Sequence, residues 1–312
     1  MTTVKIRKTP RLRSLLRKLP FYEEAYLTFK RRSAGHLWQK TAKDIQSLVD
    51  QGCPIHRVEI ETINRCDLDC PFCPARRSNN DRRPLRIMTD ELFLKIMAEL
   101  RDMDYDKALF IHCQNEPFMD HDIERRAQMA KQMVPKAWLV TYTDGNMMTP
   151  ARYHKIMKWL DFLLIDNYND SQKINPPIMK VLKEMTPEES KKTVVVMRYY
   201  NEILDWIGDG NNRKKWQTLD LGCTNPFCEI YIQPDGRVPM CCKDVFGSRI
   251  MGDVSKSTIQ EVWHGEEFQT VRKALLDCNR YGFPICEKCD FIRKDPDEPM
   301  MLPTFKVKEE VI

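Results

Sequence analysis

No run of 18 or more apolar residues occurs in the chain, so no helix that would span a bilayer is expected. The N-terminus is basic but lacks the apolar stretch and small-residue cleavage site of a secretory signal, and a cytoplasmic, reducing location is the expectation. Internal repeats and low-complexity tracts are missing as well. With 42% apolar, 30% charged and 9% aromatic residues the composition is that of a globular protein, which excludes collagen, coiled coil and disorder as descriptions of the whole chain. Twelve cysteines in 312 residues are too few for a disulfide-dense secreted scaffold. They are nevertheless clustered, and in a reducing compartment grouped cysteines more often bind metal than pair with one another.

The net charge of +5 is uneven. Residues 1–32 hold ten Lys/Arg against Glu23 and Glu24, a balance of +8, which leaves −3 for the remainder. Within this basic segment Leu12, Leu15, Leu16 and Leu19 recur at helical spacing. After Pro20, Tyr22, Ala25, Tyr26 and Phe29 do the same. A third helix is expected from Ala34 to Gln51, stopped by Gly52. These helices read as packing against the outside of the protein. An anionic or membrane-surface contact through residues 1–32 is the alternative. Nucleic-acid binding is not expected, because no recognition module accompanies the charge.

From residue 56 the period changes. Apolar or β-branched runs at Val58–Ile63, Ala108–His112, Trp138–Thr143, Phe162–Asp166 and Thr193–Met197 alternate with helical patterns at Thr89–Met103, His121–Met133, Pro150–Leu160 and Pro177–Met185. This is the βα repeat of a parallel sheet, either an open doubly wound sheet or a barrel with fewer than eight strands. Beyond residue 215, Glu229–Gln233 and Arg237–Cys242 around Pro234-Asp235-Gly236 read as a β-hairpin, followed by a helix from Thr258 to Leu276. The last residues, with Pro296, Pro299 and Pro303, read as an extended tail. The expected divisions are 1–52, 53–215, 216–295 and 296–312.

Directly after the first βα-type strand lie Cys66, Cys70 and Cys73, spaced C-x3-C-x2-C. Three thiolates on one loop can hold three irons of a cubane and leave the fourth open. Structural zinc instead favours four ligands in closed pairs. The motif and its position resemble the radical S-adenosylmethionine superfamily. That resemblance implies a partial (β/α)6 TIM-like barrel and a 4Fe-4S cluster whose open iron binds S-adenosylmethionine. It also implies cleavage of that cofactor to a 5′-deoxyadenosyl radical, with an electron donor such as flavodoxin or ferredoxin. Carried over by position, Phe72 stands beside the adenine. Asn115 and Glu116, in Gln114-Asn115-Glu116-Pro117, stand where the family often has Gly-Gly-Glu-Pro for the amino group. Thr143, in Thr143-Asp144-Gly145-Asn146, matches a Thr-Asn-Gly turn. Asp166 and Asn167, together with Arg198, occupy places that bind ribose and carboxylate.

The C-terminal cysteines are also ordered. Cys223 precedes the hairpin, Cys241 and Cys242 end it, and Cys286 and Cys289 form a C-x2-C pair, a pattern that taken alone also suits a zinc ribbon. The whole segment resembles the SPASM/twitch extension of the same superfamily, a small α+β domain with an auxiliary 4Fe-4S cluster. Cys223, Cys241, Cys286 and Cys289 are then the expected ligands, with Cys242 in place of Cys241 and Cys228 in place of Cys223 as alternatives. Family members with this spacing oxidise a secondary alcohol of an aminocyclitol. Relatives epimerise a sugar carbon with a cysteine as hydrogen donor, or mature ribosomal peptides.

Five cysteines are left: Cys53, Cys113, Cys228, Cys242 and Cys278. Most read as ordinary thiols, but Cys113 and Cys242 are candidate hydrogen donors, and His112 and Asp144 are candidate bases by position. The expectation is thus an oxidoreductase or epimerase acting on a small sugar- or aminocyclitol-like molecule. Maturation of a ribosomal peptide is the alternative, and a zinc-stabilised binding protein is the non-enzymatic one.

Overall fold

The computed structural model describes residues 3–8, 19, 21–199, 220–289 and 308–311. Strand β1 (Thr3–Lys8) and helix α1 (Tyr22–Asp50) come first. The repeat β2 (Arg57–Ile60), α2 (Asp90–Asp102), β3 (Ala108–Phe110), α3 (Ile123–Met133), β4 (Trp138–Thr143) follows. It continues as α4 (Pro150–Met157), β5 (Phe162–Tyr168), α5 (Pro176–Glu184), α6 (Pro187–Lys191) and β6 (Thr193–Arg198). The C-terminal part holds α7 (Asn225–Cys228), β7 (Glu229–Ile232), β8 (Arg237–Pro239) and β9 (Ile250–Asp253). It ends in α8 (Ile259–His264), α9 (Glu266–Leu276), α10 (Pro284–Glu287) and β10 (Lys308–Val311).

Local chemistry sets many of these boundaries. Thr89, Thr149, Thr186 and Thr258 each cap a helix by accepting the backbone N–H three residues on, and proline opens α4, α5 and α6. Helix α2 buries Leu92, Phe93, Ile96, Met97 and Leu100, the stripe that its 3.6-residue period lays on one face.

The strands form one eight-stranded sheet in the order β10-β1-β6-β5-β4-β3-β2-β7. All neighbours are parallel except β10 on β1. The end strands β7 and β10 do not pair among the described residues, so the barrel is incomplete, as expected. Its outer face packs on the helices through the main core, including Val58, Ile60, Leu109, Leu139, Ile165 and Val195. The inner face of β3–β6 is lined by a second apolar group, among them Phe110, Val140, Leu164 and Val196. Among the described residues no helix is long and apolar enough to cross a membrane.

Several local expectations are corrected. Residues 3–8 were expected in a helical extension but form β1, which pairs with β6 from Lys5↔Val194 to Lys8↔Met197 and buries Ile6 at 2% exposure. Alternation in Thr-Val-Lys-Ile-Arg-Lys outweighs the basic character once a strand edge is available. Residues 22–50 form one helix rather than two, since a glycine at position 35 costs only about 1 kcal/mol inside a helix. Leu12, Leu15, Leu16 and Pro20 lie outside the described residues, as do residues 200–219 and the prolines of the tail. Part of that tail, Lys308–Val311, is a strand on β1.

The expected hairpin is only a turn. Gln233 N–H donates to the Arg237 carbonyl at 2.9 Å, but β7 pairs parallel with β2 and β8 pairs antiparallel with β9. Unpaired groups on the β2 edge offer β7 a longer ladder than the short β8 can. The single helix expected over Thr258–Leu276 breaks at Gly265, whose extended ψ of 166° ends α8 and opens α9. The first expected strand stops at Ile60, and the fourth runs on to Tyr168.

Candidate active site

Cys66, Cys70 and Cys73 lie on the loop after β2, which folds back on itself through Cys73 N–H to the Cys70 carbonyl and Arg77 N–H to the Leu68 carbonyl. Burial pushes all three thiols up, and the Cys73 sulfur adds to this at Cys66 and Cys70. Phe72 stands 5.6 Å from the Tyr168 ring at the end of β5.

The residues expected around the cofactor gather at the carboxyl ends of β3 and β4, though part of their capacity is already engaged. Glu116, 2% exposed, accepts from Phe118 N–H and the Thr143 hydroxyl with one oxygen and from Asp144 N–H with the other. It therefore holds the Thr143–Asn146 turn, which Gly145 closes at φ +78°. Asn115 accepts from Cys113 N–H, and its amide nitrogen is buried without a partner. Asp144 and Asp67 each also carry one orphaned buried carboxylate oxygen, and both lie within 4.8 Å of the Cys66 sulfur. Burial, then the Glu116 and Asp67 carboxylates, raises the Asp144 pKa. Asp166 is ion-paired with Arg198. Asn167 turns to the outer face, where it accepts Asn175 N–H and donates to the Lys173 carbonyl.

These observations test whether the donor set suits an open-iron cluster with S-adenosylmethionine. Three thiols converge without a fourth. Orphaned donors and acceptors beside them suit an amino acid's ammonium and carboxylate, and an aromatic flanks the third cysteine. The residues fit.

In the C-terminal part, burial raises Cys241, and its thiol is further raised by Cys242, Cys286, Cys289 and Cys223. Burial likewise raises Cys286, followed by Cys223 and Cys289. Around a single zinc, sulfurs at about 2.3 Å from the ion stand roughly 3.8 Å apart. Among the described residues no three of these four sulfurs lie within 4.8 Å of one another. Cys242 points elsewhere, toward Glu59, Arg57 and the hydroxyl of Tyr231. Cys228 is fully buried, with its thiol directed at the Thr224 carbonyl.

Sequence reasoning did not single out Arg280. Buried to 2% exposure, its guanidinium donates to the carbonyls of Leu221 at 2.8 Å, Cys289 at 2.9 Å and Gly222 at 3.0 Å. It thereby ties the Cys223 segment to the Cys286/Cys289 knuckle. The inner faces of β2 and β7 were also passed over. In parallel register they place Arg57 beside Glu229 and Glu59 beside Tyr231, and Glu61 and Gln233 follow on the same faces. Arg57 is ion-paired with Glu59, Nε to Oε1 2.9 Å, and burial raises Cys113, whose thiol also meets Glu59. The available signal was period-2 charge in Arg57-Val58-Glu59-Ile60-Glu61, because a strand buried on both faces is ordinarily apolar throughout. His112 sits beside this column. Its Nδ1 accepts Tyr142 N–H at 3.2 Å, and burial together with Arg57 depresses its pKa to about 3. It is thus a neutral ring with one nitrogen already engaged.

Comparison with known proteins agrees. Residues 60–209 match the Radical SAM superfamily and residues 223–290 match SPASM, the iron-sulfur cluster-binding domain. An S-adenosyl-L-methionine-dependent 2-deoxy-scyllo-inosamine dehydrogenase from Niallia circulans is 21% identical over 244 residues, covering 77% of this chain and 95% of that protein. The structure of BtrN in complex with AdoMet and 2-DOIA aligns with TM-score 0.67 at 20% identity, over 76% of this chain and 94% of that one. SuiB of Streptococcus suis bound to S-adenosylmethionine aligns with TM-score 0.50 at 12% identity, over 75% and 72%. Both structural likenesses speak for the fold. With its two matched domains and the two cysteine sets they contain, the chain belongs to the radical S-adenosylmethionine superfamily, as a member that uses S-adenosylmethionine and iron–sulfur clusters and carries a C-terminal SPASM domain.

Proposed function

We propose that the protein dehydrogenates a secondary alcohol on a small sugar- or aminocyclitol-like substrate. The observation that carries this reading is the polar inner column of β2 and β7, which continues the inner face that β3–β6 line with a largely apolar group. The dehydrogenase similarity over nearly that whole protein supports the same substrate class. When bound, the two clusters and S-adenosylmethionine supply a hydrogen-atom abstractor and an electron acceptor. The chain's residues do the rest. Arg57 offers donors to substrate hydroxyls, whereas the Tyr231 hydroxyl already donates to Glu229. Tyr142 remains a donor, because burial pushes its pKa to about 12. Glu59, rather than His112, is the group we assign to take the alcohol proton, since the His112 Nδ1 is already hydrogen-bonded. Cys66, Cys70 and Cys73 hold the radical cluster in this reading, and Cys223, Cys241, Cys286 and Cys289 hold the auxiliary one. A small diffusible electron donor, flavodoxin or ferredoxin, completes the cycle, and twelve cysteines of which none is paired in a disulfide suit a reducing cytoplasm.

One observation favours a second outcome. The Cys113 thiol meets Glu59 and the Cys242 thiol meets Tyr231 on the inner face, where either could return a hydrogen atom to the substrate and so epimerise it. Incubation of reduced, reconstituted protein with S-adenosylmethionine and candidate cyclitols in deuterated water separates the two. A product two daltons lighter is expected; a product of unchanged oxidation level carrying one deuterium would replace dehydrogenation with epimerisation.

A further inference from the structure

Between the loop that follows the radical-cluster cysteines and the β7–β8 turn lies a cavity of about 510 Å³. Its walls carry the guanidiniums of Arg82, Arg83, Arg86 and Arg237 against the carboxylates of Asp235 and Asp253. The acids do not neutralise the cavity. Asp235 is shared by Arg86 at 3.2 Å and Arg237 at 2.8 Å, and Asp253 is held by Lys256 at 3.0 Å. Arg82 lies over the Phe246 ring at 3.8 Å, and no ion pair engages it among the described residues. A planar cation set on an aromatic face keeps its N–H edge free for an anion.

A second observation points to a ligand. Gln233, only 5% exposed, lines this cavity, and its amide donates to the Val245 carbonyl at 3.1 Å. Its carbonyl oxygen is buried with no partner. An orphaned buried acceptor is destabilising unless a donor such as a hydroxyl arrives. Gln233 continues the polar inner column of β7, and Arg83 pairs with Glu61 at the top of β2, so the cavity shares a wall with the barrel interior. Asn64, two residues before Cys66, is also in its lining.

We propose that this cavity binds the phosphate of a phosphorylated sugar or cyclitol, with Arg82, Arg86 and Arg237 on the phosphate and Gln233 on a neighbouring hydroxyl. The proposal deepens the small-polyol reading above and rests on it for the word substrate. Several guanidiniums from separate segments suit a dianion with equivalent oxygens better than a neutral sugar or a single carboxylate.

Calorimetric titration of the anaerobically reconstituted full chain tests it, with glucose 6-phosphate, glucose and gluconate as probes. Glucose 6-phosphate should bind at least about tenfold more tightly than either of the others and weaken with added salt. Arg82→Gln and Arg237→Gln should each reduce its affinity about tenfold or more while keeping the absorbance of both clusters and the unfolding midpoint. Glucose binding as well as its phosphate, gluconate matching it, or unchanged affinity in both variants would overturn the assignment. The two readings fail separately. Arginine-dependent phosphate binding without any two-dalton product loss sinks the dehydrogenase, whereas such loss from a neutral cyclitol with no phosphate preference sinks the phosphate site.

Discussion

Replacing Arg280 with methionine should remove the auxiliary cluster and leave the radical cluster in place. The guanidinium makes three hydrogen bonds of 2.8–3.0 Å to the carbonyls of Leu221, Gly222 and Cys289. Methionine has a similar apolar reach but no donor, so three carbonyls lose a charged partner in a region with little access to water. At about 1–2 kcal/mol for each, the local cost is on the order of 3–6 kcal/mol. That is comparable with the whole stability of a small domain. The Cys223 segment has little room to relax, because a Cβ on Gly222 would already stand 2.5 Å from Ile45 and 2.8 Å from the Leu275 carbonyl. The cost should therefore appear as separation of Cys223 from Cys286 and Cys289. Anaerobic reconstitution with iron and sulfide quantitation is the assay. The parent should hold roughly eight irons per chain and the variant roughly four. Cleavage of S-adenosylmethionine to 5′-deoxyadenosine should persist, since Cys66, Cys70 and Cys73 lie on the loop after β2. A variant that keeps about eight irons, or that loses both clusters together, would refute the staple.

Three other substitutions probe separate parts of the site. Cys241→Ser should lower iron content to roughly four per chain, whereas Cys242→Ser should keep about eight and alter only turnover of substrate; equal iron loss in both would show that Cys242 is a ligand. Gly145→Ala forces φ +78° on an L side chain and puts its Cβ 2.6 Å from Ile178, so a loss of about 2–4 kcal/mol in denaturant unfolding and weaker S-adenosylmethionine binding are expected. His112 is held neutral, with a folded pKa of about 3 against an ordinary 6.5. Below about pH 6.5 the unfolded chain gains a proton that the folded chain refuses, so stability falls with falling pH, by about 2 kcal/mol at pH 5 from this group. His112→Asn, which keeps an acceptor for Tyr142 N–H, should flatten that part of the stability–pH curve. An unchanged slope would place the burial elsewhere.

Much of the protein was legible in its residues because the relevant information is local. Strand alternation over Trp138–Thr143 and the threonine caps at Thr89 and Thr149 act within a few residues, and the structure places those elements within a few residues of expectation. Three cysteines in eight positions must share a loop whatever surrounds them, so the radical-cluster motif could be read directly. The C-terminal hairpin could not, because β7 chooses between β8 and the open edge of β2, and only the assembled sheet offers that edge.

The choice between Cys241 and Cys242 is of the same kind. Adjacent side chains diverge, and which one meets Cys223, Cys286 and Cys289 depends on how the β8 turn is seated against the barrel. Arg280 carries no motif at all; its role comes from three carbonyls that converge only in the folded chain. The residues alone thus determined the family, the cysteine sets and the alternating barrel, since each rests on spacing along the chain. Tertiary structure decided which thiol faces which site, what holds the auxiliary knuckle and where the arginine-lined cavity opens, since each depends on groups distant in sequence meeting at one point.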